Sequence, residues 1–224
     1  MSRPLIIIRP IAIGLTLRRL VSKCASSFGS KRLASVFCPR QLGVGVAGGC
    51  EAAVHSARRF LQNMPSDHVM VKLDFSNAFN NCLHRRDMLQ AISDRLPELF
   101  RVCYSAYSQP SLLFFGSHII ESQEGPQQGD PLGPLLFCNT VQLLLDSLQS
   151  VPTLGYLDDV SLGGSQNSVA ADVSRIIESG QRLGLHLNAS NARFYHRGVN
   201  RGLLKPCFNS IRGLHHRLVL STAE

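Results

Sequence analysis

The sequence of 224 residues predicts an α+β fold, and three observations carry that expectation. Residues 69–75 (Val-Met-Val-Lys-Leu-Asp-Phe) are β-prone and apolar almost throughout, the pattern of a strand buried on both faces. Residues 155–164 set two short β-prone runs around a tight turn, which reads as a hairpin tipped by the adjacent carboxylates of Asp158 and Asp159. Around these lie stretches of helical periodicity at 51–61, 84–95, 98–107, 135–148 and 169–183.

The elements follow in order. Prolines keep residues 9–14 extended. From Leu15 the apolar positions Leu17, Leu20, Val21 and Cys24 recur at helical spacing, with Arg18, Arg19 and Lys23 on the other side. That basic side is either solvated or turned toward phosphate. Residues 41–49 form a glycine-rich loop before the next helix, able to bring backbone close to a ligand or to serve as a connector. It carries no dinucleotide fingerprint and no P-loop lysine. Asp74 falls near the end of the 69–75 strand, where carboxylates emerge into a crevice and a charge needs a partner or a metal. Residues 112–115 and 118–121 read as a second hairpin turning at Gly116 and Ser117. Residues 124–134 are too rich in Gly and Pro for regular structure, and Pro134 fixes the entry of the apolar helix that follows. Gln128 at that helix mouth can touch a base or sugar; a capped loop without ligand is the alternative. Residues 185–188 suggest a short strand, and no periodicity survives from Gly198 onward.

Composition narrows the class. Hydrophobic residues at 44% and charged residues at 17% indicate a globular protein rather than a disordered one. The net charge of +8 is divided unevenly: residues 1–62 are strongly basic with Glu51 as their single acid, residues 63–174 are acidic, and residues 175–224 are basic again. An acidic centre between basic flanks suits metal at a core and polyanion around it. Seven cysteines without a Cys-x-x-Cys pair read as reduced thiols of an intracellular protein, cytoplasmic or nuclear. No apolar run approaches the ~20 residues that span a bilayer, so no membrane partner is expected. The apolar run at residues 5–8 is too short for a secretory signal, and Pro4 and Pro10 fit a mitochondrial presequence poorly.

Two adjacent acids repel unless a cation sits between them, and hard divalent cations take oxygen ligands. A solvated turn is the plain alternative, since Asp is a good turn residue. Phosphoryl transfer needs positioning and charge neutralisation, which two cations roughly 3.5–4 Å apart can supply. Asp74 on one strand and Asp158 and Asp159 on a hairpin of the same sheet would hold such a pair.

Leu73-Asp74 followed by Phe79, the loop running through Gly125, Pro126, Gln128, Gly129, Asp130, Pro131 and Pro134, and Tyr156-Leu157-Asp158-Asp159 resemble, in order and spacing, motifs A, B and C of reverse transcriptases. The Gln-Gly loop with its Pro-Leu-Leu-Phe continuation is most similar to non-LTR retrotransposon (LINE-type) enzymes. Arg9-Pro10-Ile11 and Gln41-x-Gly43 resemble the fingers motifs, and Leu185-x-Leu187-Asn188 the start of motif D. The likeness covers roughly residues 9–195.

The resemblance implies a polymerase palm, an antiparallel sheet with helices packed on one face, with partial fingers and no thumb. Residues 1–66 would be partial fingers, 67–196 the palm, and 197–224 an unassigned, disordered tail. It implies RNA-directed DNA polymerase activity, with two Mg²⁺ ions (Mn²⁺ as the alternative) and RNA template, DNA primer and dNTPs as partners; the oligomeric state is left open. Asp74 and Asp158 would be the principal metal ligands and Asp159 the more loosely engaged third acid. Phe79 would be the gate against a 2′-hydroxyl, Gln128 and Gly129 would line the incoming nucleotide, Tyr156 would support the primer end, and Arg9 would meet phosphate. One departure stands out. Where motif D places a lysine, a plausible proton donor to pyrophosphate, this chain has Asn191, and an amide cannot supply that proton. The missing upstream strands and thumb suggest a truncated reading frame with a foreign tail, weak or inactive alone. Two other readings are a non-catalytic nucleic-acid-binding remnant using Arg18, Arg19, Lys23, Arg58 and Arg59, and an RNA-dependent RNA polymerase, which Phe79 disfavours.

Overall fold

The computed structural model describes residues 11, 13–79, 83–189 and 191–196. Its centre is a four-stranded sheet built from β1 (His68–Leu73), β4 (Thr153–Tyr156), β5 (Asp159–Ser165) and β6 (Arg193–His196), in the order β4-β5-β1-β6 with all neighbours antiparallel. A separate two-stranded hairpin joins β2 (Ser111–Phe115) to β3 (His118–Ser122). The helices are α1 (Thr16–Phe37), α2 (Gly49–Asn63), α3 (Arg85–Arg95), α4 (Phe100–Tyr107), α5 (Gly133–Asp146) and α6 (Gln166–Arg182).

Strand alternation decides what each sheet face meets. Val71 and Leu73 of β1 and Val160 and Leu162 of β5 point into the main core, which gathers Leu135, Leu136 and Phe137 of α5, Met88 and Ile92 of α3, and Val173 and Ile176 of α6. Ala25, Leu33 and Phe37 of α1 belong to that same core. The approach of α1 to α5 is close enough that a Cβ on Gly29 would lie 2.4 Å from the Leu135 side chain. On the other face Met70 joins Leu42 and Leu154 in a smaller cluster that Ala53, Ala57 and Phe60 of α2 cover. Beyond that patch Lys72 and Asp74 alternate onto the same face and are only half-buried.

Three elements differ from expectation. The 69–75 strand stops at Leu73, with Phe75 held instead by an isolated bridge to Leu187. Residues 185–188 make no strand beyond that bridge; the fourth strand is β6, whose four residues Arg-Phe-Tyr-His bury only Phe194. The expected helix at 98–107 is split, because Pro97 opens a short 3-10 turn, Pro97–Leu99, before α4 begins. Arg9 and the tail 197–224 lie outside the described residues.

Candidate active site

Asp74 sits one residue past β1. The register that pairs Leu73 with Val160, carried one step further, sets Asp74 across from Asp159. Tyr156 pairs with Asp159 to close the β4–β5 hairpin, leaving Leu157 and Asp158 as its two-residue loop. The three acids therefore leave one end of the sheet.

Each has a distinct environment. Asp74 accepts from two amides on one oxygen: Asn188 Nδ2 at 3.2 Å and Asn191 Nδ2 at 2.8 Å reach its Oδ2, and the Asn188 backbone N–H donates to its carbonyl at 2.8 Å. Asn191, read from the sequence as an empty substitution for a proton donor, is thus a direct partner of the first carboxylate. Asp159 pairs with Lys72 Nζ at 3.0 Å. Burial, and to a smaller extent the charge of Asp158, pushes the Cys138 thiol of α5 above its ordinary range, which puts Asp158 within electrostatic reach of that helix. Among the described residues, no three His, Cys, Asp or Glu side chains form a ready-made cage for an ion. The chain offers carboxylate oxygens from neighbouring strand ends, and Mg²⁺ is commonly held by one or two carboxylates with phosphates and water completing its shell. The donor set fits that ion.

Phe79 lies half-buried with its ring stacked on Phe137 of α5, centroids 4.7 Å apart and planes 18° apart. The loop before α5 is tied down from three sides. Arg85, buried, donates to the Gly125 carbonyl at 3.3 Å, the Gln109 carbonyl at 2.9 Å and Ser122 Oγ at 3.0 Å, and desolvation lowers its pKa. The hydroxyl of Tyr107, buried on α4, donates to Asp130 Oδ2 at 2.7 Å. The Leu132 N–H donates to Asp130 Oδ1 at 3.0 Å, and Arg18 approaches Oδ2 at 3.6 Å. Gly129 adopts φ 105°, and its carbonyl accepts from Arg19 at 3.4 Å. Gln128 is half-buried on that loop, and Tyr156 is exposed at the end of β4.

On the basic side of α1, Arg18 and Arg19 both reach the loop that carries Gln128 and Gly129. The 41–49 loop brings its backbone to the Asp158 hairpin, with Leu42 N–H donating to the Gly155 carbonyl at 2.7 Å. Sequence reading missed Lys72, Arg85 and Tyr107 as neighbours of the site, and it singled out Asn191 without its contact to Asp74. The available signal for Lys72 was its position two residues before Asp74, on the same strand face; nothing local marked Arg85 or Tyr107.

The family described as reverse transcriptase (RNA-dependent DNA polymerase) matches residues 8–203. The chain belongs to the reverse transcriptase family. Among solved structures, a Candida tropicalis apo telomerase truncated from its C-terminal domain is similar at 12% identity and TM-score 0.59, over 82% of this chain and 41% of the telomerase chain. A Candida albicans telomerase in complex with a fragment of telomeric RNA is similar at 13% identity and TM-score 0.58, over 84% and 36% respectively. These likenesses support the fold of this chain, which spans about two fifths of the telomerase chains. No curated protein matches the sequence significantly. No helix among the described residues is long and apolar enough to cross a membrane.

Proposed function

We propose that this reverse transcriptase chain is the palm, residues 67–196, with partial fingers, residues 1–66, of an RNA-directed DNA polymerase from a non-LTR retrotransposon-like element. The observation that carries the reading is the strand register that aligns Asp74 with Asp159 beside the Asp158 tip. Two bound Mg²⁺ ions would neutralise phosphate charge and clamp the attacking and leaving oxygens of nucleotidyl transfer. Asp74 and Asp158 would hold them, and Asp159, already paired with Lys72, would engage more loosely. Asn188 and Asn191 both donate to Oδ2 of Asp74 and so orient its carboxylate. Phe79, backed by Phe137, would lie under the sugar of the incoming dNTP and deny space to a 2′-hydroxyl. Gln128 and Gly129 would line the nucleotide, Tyr156 the DNA primer end on its RNA template, and Arg9 a phosphate.

The test is primer extension on an RNA template with dNTPs and Mg²⁺, using this chain alone and within a longer polypeptide that supplies flanking sequence. Extension that Asp158→Ala abolishes supports the reading. Extension that survives Asp158→Ala and Asp74→Ala refutes it. A second reading, a nucleic-acid-binding remnant, is favoured by one observation: Asn191 stands where a proton donor is expected and engages Asp74. It predicts metal-independent RNA binding with no incorporation in either polypeptide.

A further inference from the structure

The hairpin that carries Asp158 turns through a residue ill-suited to the conformation it adopts. Leu157 has φ 56°, in the left-handed region that a bulky side chain enters only when its surroundings hold it there. The holding group comes from a distant part of the chain. Gln41 is fully buried, and its side-chain Oε1 accepts from the Leu157 N–H at 3.0 Å while its Nε2 donates to the Leu157 carbonyl at 3.3 Å. The same Oε1 accepts from the Gly43 N–H at 3.0 Å. Residues 40–42 run beside β4, with the Gly155 N–H donating to the Arg40 carbonyl at 2.6 Å and Gln41 bridged in parallel to Gly155, so the amide is delivered from a fixed backbone. Gly43 permits the approach, since a Cβ there would stand 2.6 Å from the Leu157 nitrogen.

We propose that Gln41 is a positioning residue of the polymerase site, its buried amide fixing both peptide groups that flank the left-handed Leu157 and so setting where the Asp158 carboxylate points. The inference rests on the polymerase reading of Asp158 for its functional consequence, but the clamp itself does not. The peptide whose carbonyl Gln41 holds is the one whose nitrogen belongs to Asp158, so the hydrogen bond fixes the plane of the peptide group that leads directly into that residue's Cα. Only a long neutral amide can do this. Glutamate keeps an acceptor but loses the donor and adds buried charge beside two acids, and leucine removes both contacts while filling the space.

The experiment uses the full chain, labelled with ¹⁵N, as wild type, Gln41→Leu, Gln41→Glu, Leu157→Gly and the Gln41→Leu/Leu157→Gly double variant. Two quantities are read: amide hydrogen exchange at residue 157, and Mn²⁺ affinity by electron paramagnetic resonance. In Gln41→Leu the Leu157 amide should exchange about tenfold faster, while the amides of Val71 and Leu162 in the sheet interior keep their protection. Mn²⁺ affinity should fall about tenfold, as for lost supports of metal ligands. Glycine tolerates positive φ, so Leu157→Gly should make Gln41 dispensable, and the double variant should bind Mn²⁺ within about threefold of Leu157→Gly alone. If Gln41→Leu does not fold, Gln41→Glu carries both measurements. Unchanged exchange at Leu157, or an equal loss of Mn²⁺ affinity in the leucine and glycine backgrounds, overturns the proposal. Wild type that binds no Mn²⁺ overturns the polymerase reading and the functional half of the proposal, and the exchange measurement still decides the clamp.

Discussion

Removing one oxygen atom at Tyr107 tests the anchoring of the loop before α5. The Tyr107 ring is 1% exposed and lies beneath two guanidinium groups, Arg85 at 5.4 Å and Arg18 at 5.6 Å. Tyr107→Phe keeps that packing and deletes only the 2.7 Å hydrogen bond to Asp130. Hydrogen bonds to charged groups are worth about 1.5–3 kcal/mol. Asp130 is 9% exposed and retains the Leu132 N–H and a longer contact to Arg18, so solvent offers little replacement and the loss should fall within that range. For a domain of this size, that corresponds to a melting temperature lower by roughly 3–12 °C. Urea unfolding at pH 7 followed by circular dichroism measures it, and an Asp130→Asn background should shrink the effect, because the two groups share one bond. A loss below about 0.5 kcal/mol, or one that Asp130→Asn leaves unchanged, would show that the loop is held without this contact.

Other expectations follow from the same geometry. Phe79→Val should relax discrimination against ribonucleotides in a primer-extension assay, and unchanged sugar selection would remove Phe79 from the gate. Among the described cysteines, Cys24, Cys38 and Cys50 are exposed and Cys103 and Cys138 buried, so brief alkylation at pH 8 followed by peptide mapping should mark the first three only. Burial pushes the Cys103 thiol from its usual 9.0 up to about 12, helped by the charge of Asp130. A raised pKa in the folded state means that its contribution to stability is complete below pH 9 and is lost as pH climbs from 9 toward 12. Cys138 and Tyr107 shift in the same direction, again chiefly through burial. Urea midpoints should therefore decline above pH 9, and a flat profile to pH 11 would contradict the buried placement. Lys72→Met should change stability by no more than about 1 kcal/mol, since both partners of the Lys72–Asp159 pair are 44% exposed.

What the sequence revealed followed from periodicity and from ordered motifs. The buried β1 run, the Asp158 hairpin and the apolar α5 all carry strong local patterns, and the spacing of their acids and glycines led to the family that the residue 8–203 match supports. β6 is illegible because a four-residue edge strand with one buried side chain, Phe194, is too short to establish a period. The contacts of Arg18 and Arg19 are illegible for a different reason. A basic helix face looks alike whether it meets water, phosphate or the carbonyl and carboxylate of Gly129 and Asp130. The amide contacts of Gln41 and Asn191 join residues more than a hundred positions apart, so no window along the chain contains both partners.

Those long contacts bear on whether residues 1–66 and 67–196 can be parted. The first segment supplies Gln41 to the hairpin tip, Arg18 and Arg19 to the loop before α5, and Ala25, Leu33 and Phe37 to the core shared with α5. Leu33 and Phe37 are at most 2% exposed. Burying such side chains contributes about 1.5–3 kcal/mol each, so these two alone account for roughly 3–6 kcal/mol against a typical domain stability of about 5–15 kcal/mol. Arg40 adds hydrogen bonds to the carbonyls of Leu145 and Leu148, and Gln142 donates back to the Val36 carbonyl at 3.1 Å. A polypeptide of residues 67–196 should accordingly show no cooperative thermal transition in near-ultraviolet circular dichroism, whereas residues 13–196 should melt as one unit. A sharp transition in the shorter piece would mean that the α1 contacts are an addition to a palm that folds without them, and the clamp of Gln41 on Leu157 would then have to be an accessory to the site instead of part of its frame.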